Sequence, residues 1–382
     1  MRILVVPAID WFTALENRVH HLARCWAAQH EVHVVHLPLG GDPIRGSEGH
    51  VVHRLSTAKT RNLLSYYLIN FIPQIVQMTR IIRREDIELL VTTNLSAGTA
   101  AILAARISGA SAIFDYCDYL PAFSRYAGIS ALLQPLLRRV GELITVLNFR
   151  MADATVVTGH LLRRHAQEFS RDVLEIPNGV DGSRFAGVPK WEPSDRPALG
   201  YVGILDFFVD LRSAIEALRA MEGSKLIIAG DGRDRAKLAA FARGEGLEDR
   251  IEFLGKVAYD QLPRWMGSMD ICLLPFVSSD LTESALPLKI HEYAASRRPV
   301  ISTPLFEVVR MYGDLLTYAQ GPVEISSKAG AILEERRATI RRIRRSYLRA
   351  TVTYSWDRFG ARYQEAFLRA SGSRGEASSS GG

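Results

Sequence analysis

Cysteine is scarce: Cys25, Cys117 and Cys272 stand far apart in 382 residues and form no C-x-x-C pair. That spacing argues against a disulfide framework and against a zinc site, and it suits a reducing compartment, the cytoplasm. Long hydrophobic runs are missing as well. No stretch of 18 or more uninterrupted apolar residues occurs, and the nearest, residues 63–78, is broken by Asn70, Pro73 and two glutamines, so no membrane span is expected. The apolar run at residues 1–6 meets Asp10 too soon for a secretory signal. Several catalytic signatures are absent: the G-x-G-x-x-G turn after the first strand, the P-loop, H-E-x-x-H and G-x-S-x-G. These gaps argue against a dehydrogenase, a kinase, a zinc protease and a serine hydrolase. The one G-x-G after a strand is Gly230-Asp231-Gly232, with Arg235 where the third glycine would stand, and it reads as a turn. No acidic cluster suggests a metal, so neither metal nor cofactor is expected.

What is present is ordinary globular material, 47% apolar and 23% charged, with a formal net charge of +6. So mild an excess suits phosphate-bearing ligands, an anionic membrane or nucleic acid without choosing among them. The length predicts two domains.

Short β-branched runs alternate with helical periodicity. Strands are predicted at residues 2–6, 31–37, 51–55, 89–92, 112–115, 153–157 and 173–176. Helices are predicted at 13–29, where Leu15, Val19, Leu22, Ala23 and Trp26 share a face, up to Ile81, and around 97–105. After residues 190–197 (KWEPSDRP), which read as a linker, the pattern restarts with strands at 198–202, 225–229, 251–254, 271–274 and 300–302. Such β-α-β series predict an α/β protein of two Rossmann-like domains, one over 1–185 and one over 198–350, with ligands at strand carboxyl ends facing a central cleft. A helix at 351–370 is expected to pack back on the first domain, and residues 371–382 to form a disordered tail.

Residues 281–303, LTESALPLKIHEYAASRRPVIST, carry the most chemistry. Pro287 suits a first helical turn. Unpaired N–H groups at that helix start attract phosphate, Lys289 adds a charge for a diphosphate, and Glu292, three residues on, can accept from two ribose hydroxyls. An ordinary helix with a surface Lys–Glu pair would read the same way.

PLKIHEYAASRRPVIST resembles the nucleotide-binding helix P-x-K-x-x-E-Y-x-A-x-x-x-P-V of retaining glycosyltransferases of the GT-B fold, the family 4-like, group 1 enzymes. IPNGVD at 176–181, with Phe185 after it, is similar to their hinge. GYVGILDFFVDL at 200–211 is similar to the first loop of their C-terminal domain, and IIAGDG, FLGKVAYDQLP and DICLLPF follow in the family's order. DWFTALENRVHHLA and FDYCDYLPAF resemble the opening and the acidic stretch of a branch found in envelope polysaccharide gene sets. The resemblance covers about residues 1–370.

The resemblance implies sugar transfer with retention from a nucleotide-diphosphate donor to a hydroxyl of a glycan or lipid-linked glycan. It implies that Pro287, Leu288, Lys289, Glu292 and Gly203 hold the donor, with Gly255, Lys256 and Val257 near its base and Asn178 and Gly179 shaping the hinge. The first glutamate of the family's spaced pair is replaced by Ser284, with Glu283 one residue early. The Gly203 loop lacks the family's basic residues, leaving the diphosphate to Lys289, the helix start and Arg297 or an N-terminal arginine. The glycine often found before the Pro-Val strand is Ser296 or Arg297.

In the first half, Asp10, Trp11, Arg18, Asp115 and Asp118 follow strand ends and are candidates for the acceptor site, with Asp118 and Lys289 the candidate catalytic pair. As helix-surface or capping residues they would need no such role. The arginine run from Arg336 to Arg349 reads as a solvated face, or as contact with anionic lipid; it lacks the aromatic platform of a nucleic-acid site. A nucleotide-sugar epimerase and an inactive scaffold of the same fold are the rival readings.

Overall fold

The computed structural model describes residues 1–8, 10–12, 16–37, 48–58, 63–122 and 131–379. The chain divides into unit 1, Met1–Pro177 with Trp356–Gly382, and unit 2, Asn178–Ser355.

Unit 1 runs β1 (Arg2–Val6), α1 (Arg18–Ala27), β2 (Glu31–His36), β3 (Val51–Arg54), α2 (Leu63–Arg84), β4 (Leu89–Thr92), α3 (Ser96–Ser108), β5 (Ser111–Tyr116), α4 (Gln134–Met151), β6 (Ala154–Val157), α5 (His160–Gln167) and β7 (Val173–Glu175). Its seven strands pair in parallel in the order β3-β2-β1-β4-β5-β6-β7. The order reverses direction at β1 and β4, so right-handed crossovers set α2 to α5 on one face and α1 on the other. β1, β4 and β5 are buried almost throughout, which is why they read as continuous apolar runs. Of the helix predicted over 13–29, the structure holds Arg18–Ala27, and residues 13–15 lie outside the described residues.

Unit 2 runs β8 (Ala198–Val202), α6 (Leu211–Ala217), β9 (Lys225–Ala229), α7 (Arg235–Gly244), β10 (Ile251–Gly255), α8 (Leu262–Gly267), β11 (Ile271–Leu274), α9 (Asp280–Ser284), α10 (Leu288–Ala295), β12 (Val300–Ser302), α11 (Phe306–Tyr312), β13 (Thr317–Tyr318), α12 (Gly321–Glu334) and α13 (Arg336–Leu348). Its sheet has the order β10-β9-β8-β11-β12-β13, parallel at every pairing.

Three boundaries differ from the sequence reading. Unit 2 begins at Asn178, and Phe185, expected in the first domain, lies in the unit 2 core. Residues 190–197 are no loose linker. Trp191 Nε1 donates to the Asp270 carbonyl at 2.7 Å, while the Asp270 carboxylate accepts from Ser194 N, Ser194 Oγ and Ala198 N at 3.0, 2.9 and 2.8 Å. Last, α14 (Trp356–Ser379) continues through most of the expected tail. Within unit 1 its Trp356 stacks on His21 at 5.0 Å, and Tyr363 and Phe367 meet Trp26 edge-on at 4.9 and 5.4 Å.

Candidate functional site

In unit 2 the candidate residues gather around the start of α10. Pro287 is the helix N-cap rather than a first-turn residue, with φ −64° and ψ 134°, and no side chain caps the N–H groups that follow. Leu288 opens the helix. Its inner face is fastened: Tyr293 Oη accepts from Val202 N at 2.8 Å at the end of β8, and His291 Nδ1 lies 2.8 Å from the Tyr312 hydroxyl. Burial pulls the His291 pKa down to about 3, so this histidine is a neutral core residue. Upstream, Asn178 Nδ2 donates to the Leu286 carbonyl at 2.6 Å and so ties the hinge motif to the loop entering α10.

Lys289 and Glu292 share one helical face. Lys289 Nζ donates to Tyr201 Oη at 2.9 Å and lies 4.3 Å from the centre of that ring and 5.2 Å from that of Phe276. Desolvation pulls its pKa down to about 7, against the attraction of Glu292. Glu292 is buried, and its Oε1 accepts from the Tyr259 hydroxyl at 2.8 Å. Tyr259 lies in the short turn after β10, beyond the Gly255-Lys256-Val257 segment; Lys256 is exposed and Val257 half-buried. Sequence reasoning missed Tyr201 and Tyr259 because their partners stand 88 and 33 residues away.

Gly203 has φ +143°, and a Cβ there would fall 2.1 Å from Lys289 Nζ. The Gly230-Asp231-Gly232 turn packs on the same loop: Gly203 N donates to Ala229 O at 2.9 Å and Leu205 N to Asp231 O at 3.0 Å. A Cβ at Gly230 would meet Gly203 O at 1.8 Å, so this G-x-G gives backbone a close approach to backbone. Next to the Gly203 loop, Arg233 pairs bidentately with Asp206 at 2.9 Å for each bond.

Two departures from the family pattern acquire physical content. Glu283 accepts from Ser278 Oγ at 2.5 Å and Phe306 N at 2.6 Å, so it anchors the start of α11. Ser284 Oγ bonds back to Asp280 O at 2.6 Å within its own turn. Arg297 is the residue at the glycine-type position, with φ +55°. It follows the C-terminal end of α10 and lies 4.2 Å from the Tyr347 ring centre, so it belongs to the helix end opposite Lys289.

In unit 1 the candidates separate. Trp11 is fully buried, its ring 4.2 Å from that of His20 and 5.5 Å from that of His50, so it offers no open face for a sugar. Asp10 is buried and accepts from Phe12 N at 3.0 Å, with His36 Nε2 3.2 Å away. Arg18 and Asp115 form a buried ion pair at 2.8 Å, and Arg18 also donates to Pro177 O at 2.8 Å. All four are engaged in contacts within unit 1. Asp118 differs: it is half-buried just beyond β5, and burial raises its pKa to about 6, with Asp115 adding to the rise while the Cys117 thiol, 3.8 Å away, and Arg18 oppose it. Among the described residues no group of three His, Cys, Asp or Glu converges as a metal site.

Residues 196–335 match the family model "Glycosyl transferases group 1", and residues 15–184 match "Glycosyltransferase Family 4". A 2-deoxystreptamine glucosyltransferase of Streptomyces kanamyceticus is 24% identical over 52% of this chain and 56% of its own. A GDP-mannose-dependent alpha-(1-6)-phosphatidylinositol monomannoside mannosyltransferase of Mycobacterium tuberculosis is 27% identical over 59% of this chain and 60% of its own. The matches thus span little more than half the length of these relatives. Among solved structures, sucrose-phosphate synthase from Thermosynechococcus elongatus superposes with a TM-score of 0.80 at 16% identity, covering 96% of this chain and 98% of that one. Anabaena Alr3699/HepE in complex with UDP gives 0.74 at 15%, covering 96% and 99%. At these identities the superpositions show the fold.

Proposed function

Because the chain belongs to the GT-B glycosyltransferases, a family 4 half followed by a group 1 half, we propose that it transfers a sugar with retention from a nucleotide-diphosphate donor to a hydroxyl of a glycan or lipid-linked glycan. One observation carries the reading: a uncapped helix start, a desolvated Lys289 and a buried Glu292 one turn deeper lie in series on α10. The N–H groups and the lysine suit a diphosphate, and the carboxylate suits a ribose diol.

The leaving group is the nucleotide diphosphate, and negative charge grows on it as the glycosidic bond breaks. Lys289 and the α10 N–H groups meet that charge already oriented, so stabilising it needs no reorganisation. Gly203 leaves room for the lysine head. Glu292, held by Tyr259, fixes the ribose and with it the register of the phosphates. Asp118, with its raised pKa, is suited to orient or deprotonate the acceptor hydroxyl.

The test is calorimetric titration with UDP-, GDP- and ADP-sugars, followed by product analysis with and without acceptor. Binding of one donor class and sugar transfer only when acceptor is added support the reading. Conversion of the donor sugar without acceptor would establish the epimerase, and absence of all nucleotide binding the inactive scaffold.

A further inference from the structure

The segment that opens unit 2 touches the proposed donor residues at two places. Asn178 holds the Leu286 carbonyl ahead of α10. Further along, Arg184 lays its guanidinium over the Tyr259 ring, with Cζ 5.1 Å from the ring centre, inside the range of a cation–π contact. Tyr259 is the residue whose hydroxyl donates to Glu292 Oε1 at 2.8 Å. An arginine from the start of the unit is therefore two contacts away from the carboxylate proposed to take the ribose.

Arg184 is itself braced. It stands in the one-turn 3-10 helix Gly182–Phe185, and its Nε donates to Asp181 Oδ2 at 3.2 Å. The Asp181 carboxylate also accepts from Ser183 N at 3.0 Å and Ser183 Oγ at 2.6 Å, so one side chain caps the turn and aims the arginine. Phe185, the next residue, is buried in the unit 2 core. Gly182 brings the turn against Thr351, whose Cγ2 a Cβ at Gly182 would meet at 2.9 Å. The backbone that carries Arg184 is thus fixed by its cap, by a core aromatic and by a close approach. A guanidinium suits this position where an ammonium would not, because Nε can stay bonded to Asp181 while the group stacks on a ring. Tyr259 has use for such a brace: it lies in the turn Tyr259–Gln261 beyond β10 and is half-buried, so core packing covers only part of its ring. Glu292 is buried, and a shift of that ring would withdraw the hydroxyl that holds it.

Resting on the donor reading above, we propose that Arg184 is a positioning residue for ribose recognition: braced by Asp181, it holds the Tyr259 ring that orients Glu292. Arg184 acts through Tyr259 and makes no contact of its own with the nucleotide. The Arg184 and Asp181 side chains are 31% and 40% exposed, so the brace tunes selectivity for the ribose and contributes little to the stability of the fold.

The experiment measures the Kd of the full chain for UDP, GDP and ADP and for their 2′-deoxy counterparts by calorimetry, with the Tm of each variant alongside. Arg184→Ala is expected to shrink the preference for the ribonucleotide roughly two- to fivefold, the size of one partly exposed cation–π contact, with the 2′-deoxy affinity and the Tm close to wild type. In Tyr259→Phe the ring and the arginine remain but the link to Glu292 is gone, so adding Arg184→Ala to that variant should change the preference no further. A lower Tm in Arg184→Ala with the wild-type preference would make the arginine a structural brace only and overturn the proposal. So would an equal effect of Arg184→Ala in the Tyr259→Phe background, which would mean that Arg184 meets the nucleotide directly. Loss of the preference in Glu292→Gln beside the wild-type preference in Arg184→Ala defeats this proposal alone. Absence of nucleotide binding, or a Glu292→Gln variant with the wild-type preference, defeats the donor reading and the proposal with it.

Discussion

Lys289 donates through Nζ to the Tyr201 hydroxyl at 2.9 Å and rests 4.3 Å from the centre of the same ring, so the cation proposed for the donor site is stored against an aromatic face. Its pKa, pulled to about 7 by desolvation, predicts that diphosphate binding at this site depends on pH. A bound diphosphate favours the ammonium and raises that pKa. Below pH 7 the lysine is already charged and affinity is flat; above it, binding must take up a proton and affinity falls as pH rises. Calorimetry in buffers of different ionisation enthalpy should show that proton uptake near pH 8. Lys289→Ala should lose it together with roughly 1.5–3 kcal/mol of nucleotide-diphosphate affinity, leaving nucleoside affinity unchanged. A pH-independent Kd in the wild type would refute the role.

Gly203→Ala tests the same site from the opposite loop. The added Cβ would fall 2.1 Å from Lys289 Nζ at a φ of +143°, so the lysine head must move and the backbone is strained. Diphosphate affinity should fall several-fold, with a stability loss of roughly 1–3 kcal/mol. Wild-type affinity in this variant would show that the lysine position is unimportant.

Glu292→Gln keeps the size of the side chain proposed to bind the ribose and removes its charge. The preference for ribonucleotide over 2′-deoxy donors should shrink, with a loss of roughly 1.5–3 kcal/mol. Tyr259→Phe removes the hydroxyl at 2.8 Å from Glu292 and should act in the same direction but more weakly, because the carboxylate remains and only its orientation is loosened. Undiminished discrimination in Glu292→Gln would place the ribose elsewhere.

The architecture was legible because parallel strands covered on both faces leave apolar β-branched runs such as residues 2–6 and 271–274. The start of unit 2 was not. Residues 190–197 have the composition of a linker, but Asp270, more than 70 residues on, fastens them, and Lys225 N donates to Pro197 O at 2.9 Å. Lys289 and Glu292 could be found because helical spacing puts them together; Tyr201 and Tyr259 could not, because strand β8 and the turn after β10 deliver them. Trp11 shows the ambiguity in the other direction. An aromatic after a strand end suits a sugar or a core equally well, and the Trp11 ring is buried against those of His20 and His50.

Asp115→Asn separates a fold-holding role from an acceptor-site role in unit 1. Arg18 and Asp115 are both buried and meet at 2.8 Å, so neutralising the carboxylate leaves an uncompensated buried guanidinium. The expected cost is about 3–5 kcal/mol of stability, visible as a lower Tm in thermal unfolding. An acceptor-binding role alone would leave the Tm unchanged.

Asp118 is the one acceptor-site candidate whose position leaves it available for chemistry. It follows β5, is half-buried, and its pKa is raised to about 6 by desolvation. A carboxylate that orients or deprotonates an acceptor hydroxyl works only when ionised. A folded-state pKa near 6 therefore predicts that kcat/KM rises between about pH 5 and pH 7 and then levels on that limb. Asp118→Asn should lose most of the transfer rate and abolish the acid limb, while calorimetry returns the wild-type donor Kd, because the residues proposed for the donor lie in unit 2. The pH profile separates this role from a structural one, since a merely packed carboxylate would change stability without governing the limb. If Asp118→Asn transfers sugar at the wild-type rate, or keeps the same inflection near pH 6, some other group carries the proton and Asp118 is a packing residue like Asp115.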